Sequence, residues 1–490
     1  MQRNQFSPLF CDLYHLKMAQ AMFKNNTHTK HEVYEMFIRK TPFNGTYLLA
    51  AGLAEVLQWL NDWHFSKNDI QYLKKLGFDK DFLKMLKDSK LKINMKAFRE
   101  GEIVFPNEPI VQVSGPAWQV LMVESGILNI INAQSLFATK ASRIIQAACS
   151  DKKERIVMEM GLRRAQDMQG FTPTRAAFIG GVTASSNVEA AKHYNIPVCG
   201  TMAHCFIMRE TDEVTAFKNY ILSDPENASV LLDTYDTIQG AKNAITASKE
   251  TGIPLKSVRL DSGDLAYLSK KVRAILDESG FKETKITASN DLDEYTIQSL
   301  ILEQKAPIDI FGVGTMLVTA ADQPALGGVY KLKQANDKPV IKVSENNIKT
   351  TIPGATNVIR IIDKNNQYAG DIIVKDGQNI LQQGGLTTNL ISVDLQNEKT
   401  RSFLKGKKAY CPLTDVIING IINQSEMHRS LQEIQKYAKQ NLAKLDESHL
   451  RLKSPHQYVA GLSQSLFITR NDLIKKARLT ERSQHDNRDY

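Results

Sequence analysis

The sequence predicts an α/β fold in which parallel strands close into a barrel beside an outer α+β domain, and three observations carry that expectation. Short apolar runs at 176–181, 196–200, 230–233, 257–260, 285–288 and 309–313 alternate with helical segments. Successive β-α units of this length predict a parallel sheet, either open or closed. Nearly every run ends in groups useful for chemistry: Gly180-Gly181, Thr201 and His204, Asp233 and Asp236, Asp261-Ser262-Gly263-Asp264, Ser289-Asn290-Asp291, and Gly312-x-Gly314-Thr315. An open sheet would gather such groups at one switch point. Contributions from all strand ends suit a barrel with its site at the C-terminal face. After Gly327-Gly328-Val329-Tyr330 the pattern turns β-rich, as in a return to the outer domain.

Taken in order, residues 8–23 read as a helix, with Asp12 near its start and Leu9, Leu13, Leu16, Ala19 and Phe23 at helical spacing. Tyr14 lies off that stripe, available for the surface or for a site. Residues 35–39 read as a strand, Asn44-Gly45 as a turn and 47–59 as a helix. The charged stretch 67–99 reads as helical. Residues 103–105 and 110–113, split by Pro106-Asn107-Glu108-Pro109, read as a strand pair with a tight turn. Pro116 opens a long helical stretch to about Cys149, whose Glu124, Asn129 and Asn132 suit a partner helix, a site or satisfied buried hydrogen bonds. Ser186-x-x-Glu189 and Asp291-x-x-Glu294 have capping-box spacing, and 265–276 and 295–302 have helical periodicity. Strands are expected at 340–343, 358–362 and 369–374, then a helix over 425–442 and a basic tail near 470–482.

A chain of 490 residues leads to an expectation of two or three domains, and 42% hydrophobic residues supply large cores rather than a disordered chain or a membrane protein. The longest apolar stretches, such as Ile127-Leu128-Asn129-Ile130-Ile131, are interrupted and short of a membrane span, and the first residues form no secretory h-region. Cys11, Cys149, Cys199, Cys205 and Cys411 form no CxxC pair. They argue against a zinc ribbon or a disulfide framework and for a cytoplasmic setting. The net charge of +9 fits clefts for small anions or a solvated basic surface. Without an RNA-binding aromatic signature, neither a nucleic-acid nor a membrane partner is expected.

Several residues suit an anionic, phosphorylated substrate. At Gly312-x-Gly314-Thr315 small residues let backbone N–H groups approach a phosphate, although a tight turn explains the same pattern. Arg163 and Arg164, placed before the first barrel strand, have guanidinium forks for phosphate or carboxylate, or for a surface ion pair. Arg259 ends a buried strand in Val258-Arg259-Leu260-Asp261, where a charge is costly unless paired with Asp261 or Asp264 or bound to a ligand. Several carboxylates near a phosphate turn also suggest Mg²⁺ held partly through substrate oxygens. His204 stands where a strand gives way to a loop, in Gly200-Thr201-Met202-Ala203-His204, a position open to a structural or a catalytic role.

Together these segments resemble the nicotinate phosphoribosyltransferase family over most of the chain. The resemblance rests on Asp12-Leu13-Tyr14, Pro42-Phe43-Asn44-Gly45, Gly161-Leu162-Arg163-Arg164-Ala165-Gln166, Gly200-Thr201-x-x-His204, Leu232-Asp233-Thr234-Tyr235, Arg259-Leu260-Asp261-Ser262-Gly263-Asp264, Ser289-Asn290-Asp291, Gly312-x-Gly314-Thr315, Leu326-Gly327-Gly328-Val329-Tyr330 and Thr351-Ile352-Pro353-Gly354, in this order. It implies an irregular TIM-like α/β barrel with an outer α+β domain built from both chain ends. The expected divisions are 1–140 and 336–490 for the outer domain, the latter with a helical basic tail, and 141–335 for the catalytic barrel.

The implied reaction joins nicotinate to 5-phosphoribosyl 1-pyrophosphate, giving nicotinate mononucleotide and pyrophosphate, with ATP as co-substrate, Mg²⁺ as cofactor and a homodimer with shared sites. By the same resemblance His204 is the phosphorylated histidine and Asp261 a catalytic carboxylate. Tyr14, Thr201 and Arg259 are nicotinate contacts, with Tyr14 reaching the neighbouring subunit's site. Arg163, Ser289, Asn290, Gly312, Gly314, Thr315 and Thr351 contact the phosphoribosyl pyrophosphate. The chain departs from the family at Met160, where relatives place a ring-stacking aromatic residue. Met202 after Gly200-Thr201, with no adjacent carboxylate, favours an acid over an amide substrate. The competing readings are nicotinamide or quinolinate transfer on the same fold, a non-catalytic metabolite-binding relative, and a basic nucleic-acid binder.

Overall fold

The computed structural model describes residues 7–167, 170–344, 350–378, 381–382, 385–386, 390–395, 400–404, 406 and 408–486. The chain divides into two units, one comprising 137–324 and the other the two flanking ends. The helix Glu124–Ala148 gives its first part to the outer unit and its second to the inner one.

The inner unit holds six parallel strands: β1 (Ile156–Glu159), β2 (Ala184–Ser185), β3 (Ser229–Leu231), β4 (Ser257–Leu260), β5 (Lys285–Ala288) and β6 (Ile310–Val313). They lie in the order β2-β1-β6-β5-β4-β3, a curled half-barrel. The last strand in sequence, β6, pairs with the first, β1. A barrel winding requires that neighbourhood, whereas an open doubly wound sheet turns back at a switch point. Among the described residues the ring is interrupted between β2 and β3, where Val198 makes a single parallel bridge to Ser185.

Two expected barrel strands are therefore corrected. Residues 176–181 fall largely in the helix Phe171–Ile179, which starts after Gly170 in the left-handed region (φ 64°) and carries Pro173 in its first turn, where proline removes no helical bond. A short apolar run does not distinguish a buried helix from a strand. Residues 196–200 supply one bridge only, and β1 was missed behind the charges of Lys153, Glu154 and Arg155. Arg163 consequently follows the first strand instead of preceding it. The caps also shift: Asn187 accepts from Ala190 N at 3.2 Å and Asp293 from Thr296 N at 2.7 Å, in place of Ser186 and Asp291.

In the outer unit, seven antiparallel strands combine both chain ends. His31–Ile38 lies between Gly328–Ala335 and Val111–Pro116, and Asn94–Phe98 and Leu413–Ile418 continue the sheet. Residues 328–335, expected with the barrel, thus belong to this sheet, and 94–98, expected as helix, form a strand. The expected pairing of 103–105 with 110–113 is not made. Ile103–Val104 pairs with Leu48–Leu49, while the backbone N–H groups of Asn107 and Ile110 donate to Ile38 and Met36. Lys338–Pro339 forms the edge strand where 340–343 was expected. A second sheet includes Thr356–Ile362, Tyr368–Lys375 and Ala460–Ser463.

In that second sheet Arg360, on the strand Thr356–Ile362, is fully buried. Its Nη1 meets Glu102 Oε1 at 2.7 Å, its Nη2 meets Asp371 Oδ2 at 2.6 Å, and Glu108 Oε2 lies 3.6 Å away. Burial, then the neighbouring Asp371, push Glu108 well above the usual carboxylate range, where three acids crowd around one guanidinium.

The helical run Ala117–Ala148 corrects the expectation that no apolar stretch is long enough to span a membrane. An 18-residue window within it has a mean hydropathy of 1.3, long and apolar enough to cross a membrane by length and composition only, and 61% of that window is buried inside the protein, as in the core helix of a globular chain.

Candidate active site

The inner unit's functional groups stand on the loops that leave the C-terminal ends of its strands. Arg259, third residue of β4, is held in register between Leu231 and Thr287 of the adjoining strands and is 14% exposed at its side chain. Its Nη1 donates to Thr201 Oγ1 at 2.7 Å, and its Nη2 lies 3.7 Å from Asp261 Oδ2. Its Nε is buried without a hydrogen-bond partner. A buried, positively charged donor in that state favours an anionic ligand beside it.

His204 opens a short helix, His204–Met208, and its side chain is 40% exposed. Nδ1 lies 3.1 Å from Thr234 Oγ1, on the loop after β3, and Nε2 lies 3.8 Å from Asp261 Oδ2. The Nδ1 contact orients the ring, with Nε2 on the side of the Asp261 carboxylate. Asp261 in turn accepts from Ser289 Oγ, after β5, and its backbone N–H donates to Asp233 Oδ2 at 3.1 Å. Ser262 Oγ also donates to Asp233, whose Oδ1 is buried and unpartnered. Thr201, Arg259, Asp261, His204 and Ser289 are thus joined in one hydrogen-bonded and charged network.

Glu159, at the end of β1, was not read as a site residue. Fully buried, it accepts from Gly161 N, Thr174 Oγ1 (3.0 Å) and Ser185 Oγ, and so pins the turn that carries Met160 and Arg163. A side-chain carbon on Gly312 would stand 2.7 Å from Met160 Sδ, so glycine lets the thioether lie flat against the end of β6. Gly314 precedes the single turn Thr315–Val318. Arg163 and Asn290 are exposed, Asn290 with φ 97°, and the network does not include them.

Two other candidates serve structure. Asp236 and Asp264 cap the helices Thr237–Thr251 and Leu265–Glu278 by accepting from Gln239 N and Tyr267 N. Burial, reinforced by Glu159, pushes the Cys199 thiol up to about 12, which keeps it a thiol. In the outer unit Tyr14 is 51% exposed, its ring 4.0 Å from that of His15, whose Nε2 meets Glu124 Oε2 at 3.3 Å. Thr351 is buried, with Oγ1 accepting from Lys342 N at 3.0 Å. Thr234, which reasoning from the sequence left without a role, could have been found from its place beside Asp233 at a strand end.

Among the described residues no group of three or more His, Cys, Asp or Glu forms a metal cluster. Asp233, with its orphaned oxygen, and Asp261 match a hard cation that takes its remaining oxygens from substrate phosphates and water.

Comparison with known proteins gives one consistent result. Residues 9–132 match the family model for the nicotinate phosphoribosyltransferase (NAPRTase) N-terminal domain, 156–382 that for the NAPRTase family, and 355–470 that for its C-terminal domain. The chain is 38% identical over 498 residues to the Bacillus subtilis protein named nicotinate phosphoribosyltransferase, covering 96% of each. It is 33% identical to the Dictyostelium discoideum protein of that name, covering 95% of this chain and 88% of the other. The crystal structure of human nicotinic acid phosphoribosyltransferase superposes with a TM-score of 0.80 at 26% identity, covering 94% of this chain and 99% of that one. A Pyrococcus furiosus nicotinate-nucleotide pyrophosphorylase superposes at 0.69 with 22% identity, a likeness of fold alone.

Proposed function

The chain belongs to the nicotinate phosphoribosyltransferase family, and on that premise we propose that it joins nicotinate to 5-phosphoribosyl 1-pyrophosphate, releasing pyrophosphate, as a step of NAD salvage. The observation that carries this reading is Arg259: a half-satisfied guanidinium beside Thr201 and within one network with His204. Its free hydrogen-bonding capacity suits the nicotinate carboxylate, and Thr201 presents a hydroxyl next to it. Met202 is buried and the Gly200-Thr201 turn carries no carboxylate, which supports the acid over the amide.

Displacement of pyrophosphate at the ribose anomeric carbon builds positive charge on the sugar, so these residues act by orientation and charge stabilisation. Asp261, held by Ser289 and by its own backbone bond to Asp233, offers a fixed negative charge. Arg163, Ser289, Asn290 and the Gly312-x-Gly314-Thr315 turn receive phosphate oxygens. Asp233 and Asp261 would hold Mg²⁺, which supplies charge neutralisation on the phosphates when bound. Thr351, in the outer unit, is assigned a substrate contact through the family resemblance alone, since its hydroxyl already accepts from Lys342.

ATP is the co-substrate that phosphorylates His204: a ring nitrogen bonds the γ-phosphorus as the bond to the β-phosphate oxygen breaks, and ADP leaves. Whichever nitrogen accepts the group, the other keeps an oxygen neighbour, Thr234 or Asp261. Tyr14, exposed on the helix Leu13–Lys24, suits a residue that completes a neighbouring subunit's site in a homodimer. All five cysteines are free thiols, which fits a cytoplasmic setting.

The test is a product assay with nicotinate, nicotinamide and quinolinate, each with and without ATP and Mg²⁺. Nicotinate should be the preferred acceptor, with ATP raising turnover. Faster turnover of the amide or of quinolinate would overturn the substrate, and no turnover of any pyridine would favour a binding role.

A further inference from the structure

The outer unit carries a groove of about 470 Å³ that the reaction does not use. Arg99, which follows the strand Asn94–Phe98, forms one side, and the helix Leu431–Leu442 with the residue two before it forms the other: Arg429, Lys436, Tyr437 and Gln440. Two features show that this basic lining is built into the fold. The carboxylate of Glu426, itself only 7% exposed, pairs with Arg99 and lies 3.7 Å from Arg429 Nη1, so one buried acid anchors both guanidinium groups. Arg429 also donates to Glu100 O at 3.3 Å and lies 5.4 Å above the Tyr437 ring, whose hydroxyl donates to Glu102. The one acid on the lining, Glu433, is committed to the helix start, where it accepts from Ser430 N at 3.2 Å. Lys436 is exposed and has no ion-pair partner among the described residues.

We propose that this groove is a binding site for a small phosphate or diphosphate anion. Arg99 and Arg429, held by a shared carboxylate, bring two guanidinium groups to the groove: Arg99 keeps Nη1, and Arg429 keeps Nε and Nη2, outside the pairs described, and such planar groups suit phosphate oxygens. Lys436 adds a mobile point charge, and Ser425 and Gln440 add neutral hydrogen-bonding groups. The inference is independent of the pyridine reaction assigned to the strand-end site.

Hydrogen exchange of the full-length protein with inorganic pyrophosphate as probe, against sodium chloride at matched ionic strength, tests it by reading each segment separately. Pyrophosphate should slow exchange several-fold across 425–440, and Lys436→Ala, which breaks none of the ion pairs described, should remove most of that protection while leaving protection in 289–315 unchanged. Arg429→Lys, which keeps the charge but loses the fork, should weaken it partially. Equal protection by chloride, no protection across 425–440, or protection untouched by Lys436→Ala would each overturn the proposal.

Discussion

Arg259 donates from Nη1 to Thr201 Oγ1 over 2.7 Å, tying a charge at the end of β4 to the loop that carries His204. Removing the charge should therefore be felt by nicotinate. In Arg259→Gln the carboxylate loses a charge-assisted hydrogen bond of about 1.5–3 kcal/mol, roughly ten- to over a hundredfold in affinity. Equilibrium binding of nicotinate to the variant measures this, and unchanged affinity would reduce Arg259 to a structural ion pair with Asp261.

His204→Ala should abolish ATP hydrolysis and acid-labile phosphoenzyme while leaving slow, ATP-independent formation of nicotinate mononucleotide. Radiolabel transfer from γ-labelled ATP reads the first, and product chromatography the second. A phosphoenzyme signal of normal size would move the acceptor elsewhere.

Thr234→Val removes the oxygen 3.1 Å from His204 Nδ1 and keeps the side-chain shape. Loss of a neutral hydrogen bond of about 0.5–1.5 kcal/mol predicts phosphoenzyme formation slowed a few-fold to about tenfold, with Thr234→Ser retaining most of the rate. Single-turnover labelling distinguishes this from a change in ATP affinity.

Gly312→Ala places a carbon 2.7 Å from Met160 Sδ. The thioether is flexible, so folding stability should change by no more than about 1 kcal/mol, while KM for nicotinate shifts because Met160 is displaced from its seat. A change in the denaturation midpoint with no change in KM would contradict the assignment.

Glu108 gives a pH-dependent outcome. Its folded-state pKa is raised by burial and by Asp371, so the stability it contributes is fully present below the ordinary glutamate value and is lost as pH rises towards and through the folded-state value. Denaturant midpoints from mildly acidic to alkaline buffer should fall in the wild type and fall less steeply in Glu108→Gln.

The strands that the sequence revealed, β3 to β6, are short, mainly apolar runs with polar residues close after them; those strand ends exposed Asp261 and Ser289, and Arg259 stood out as a charge inside such a run. The misreadings have local causes. Ala176-Ala177-Phe178-Ile179 is as apolar as a strand yet is wound as a helix after Gly170, and β1 lies directly behind the charged Lys153-Glu154-Arg155. The hydrogen bond from Arg259 to Thr201, the pairing of His204 with Thr234 and the burial of Thr351 depend on which loops meet in space, and no spacing along the chain records that. The family motifs supplied the roles, and the geometry supplied the partners.

The interruption between β2 and β3 has a mechanical consequence. Residues 200–203 take part in no strand ladder, so Thr201 and the start of the His204 turn are fastened by side-chain bonds to Arg259 and Thr234. Apart from the buried Met202 side chain, that segment is held by a few polar contacts and lies outside the cooperative sheet that carries its partners. The site is hung across a seam: Arg259 stands on the woven side and His204 on the unstitched one.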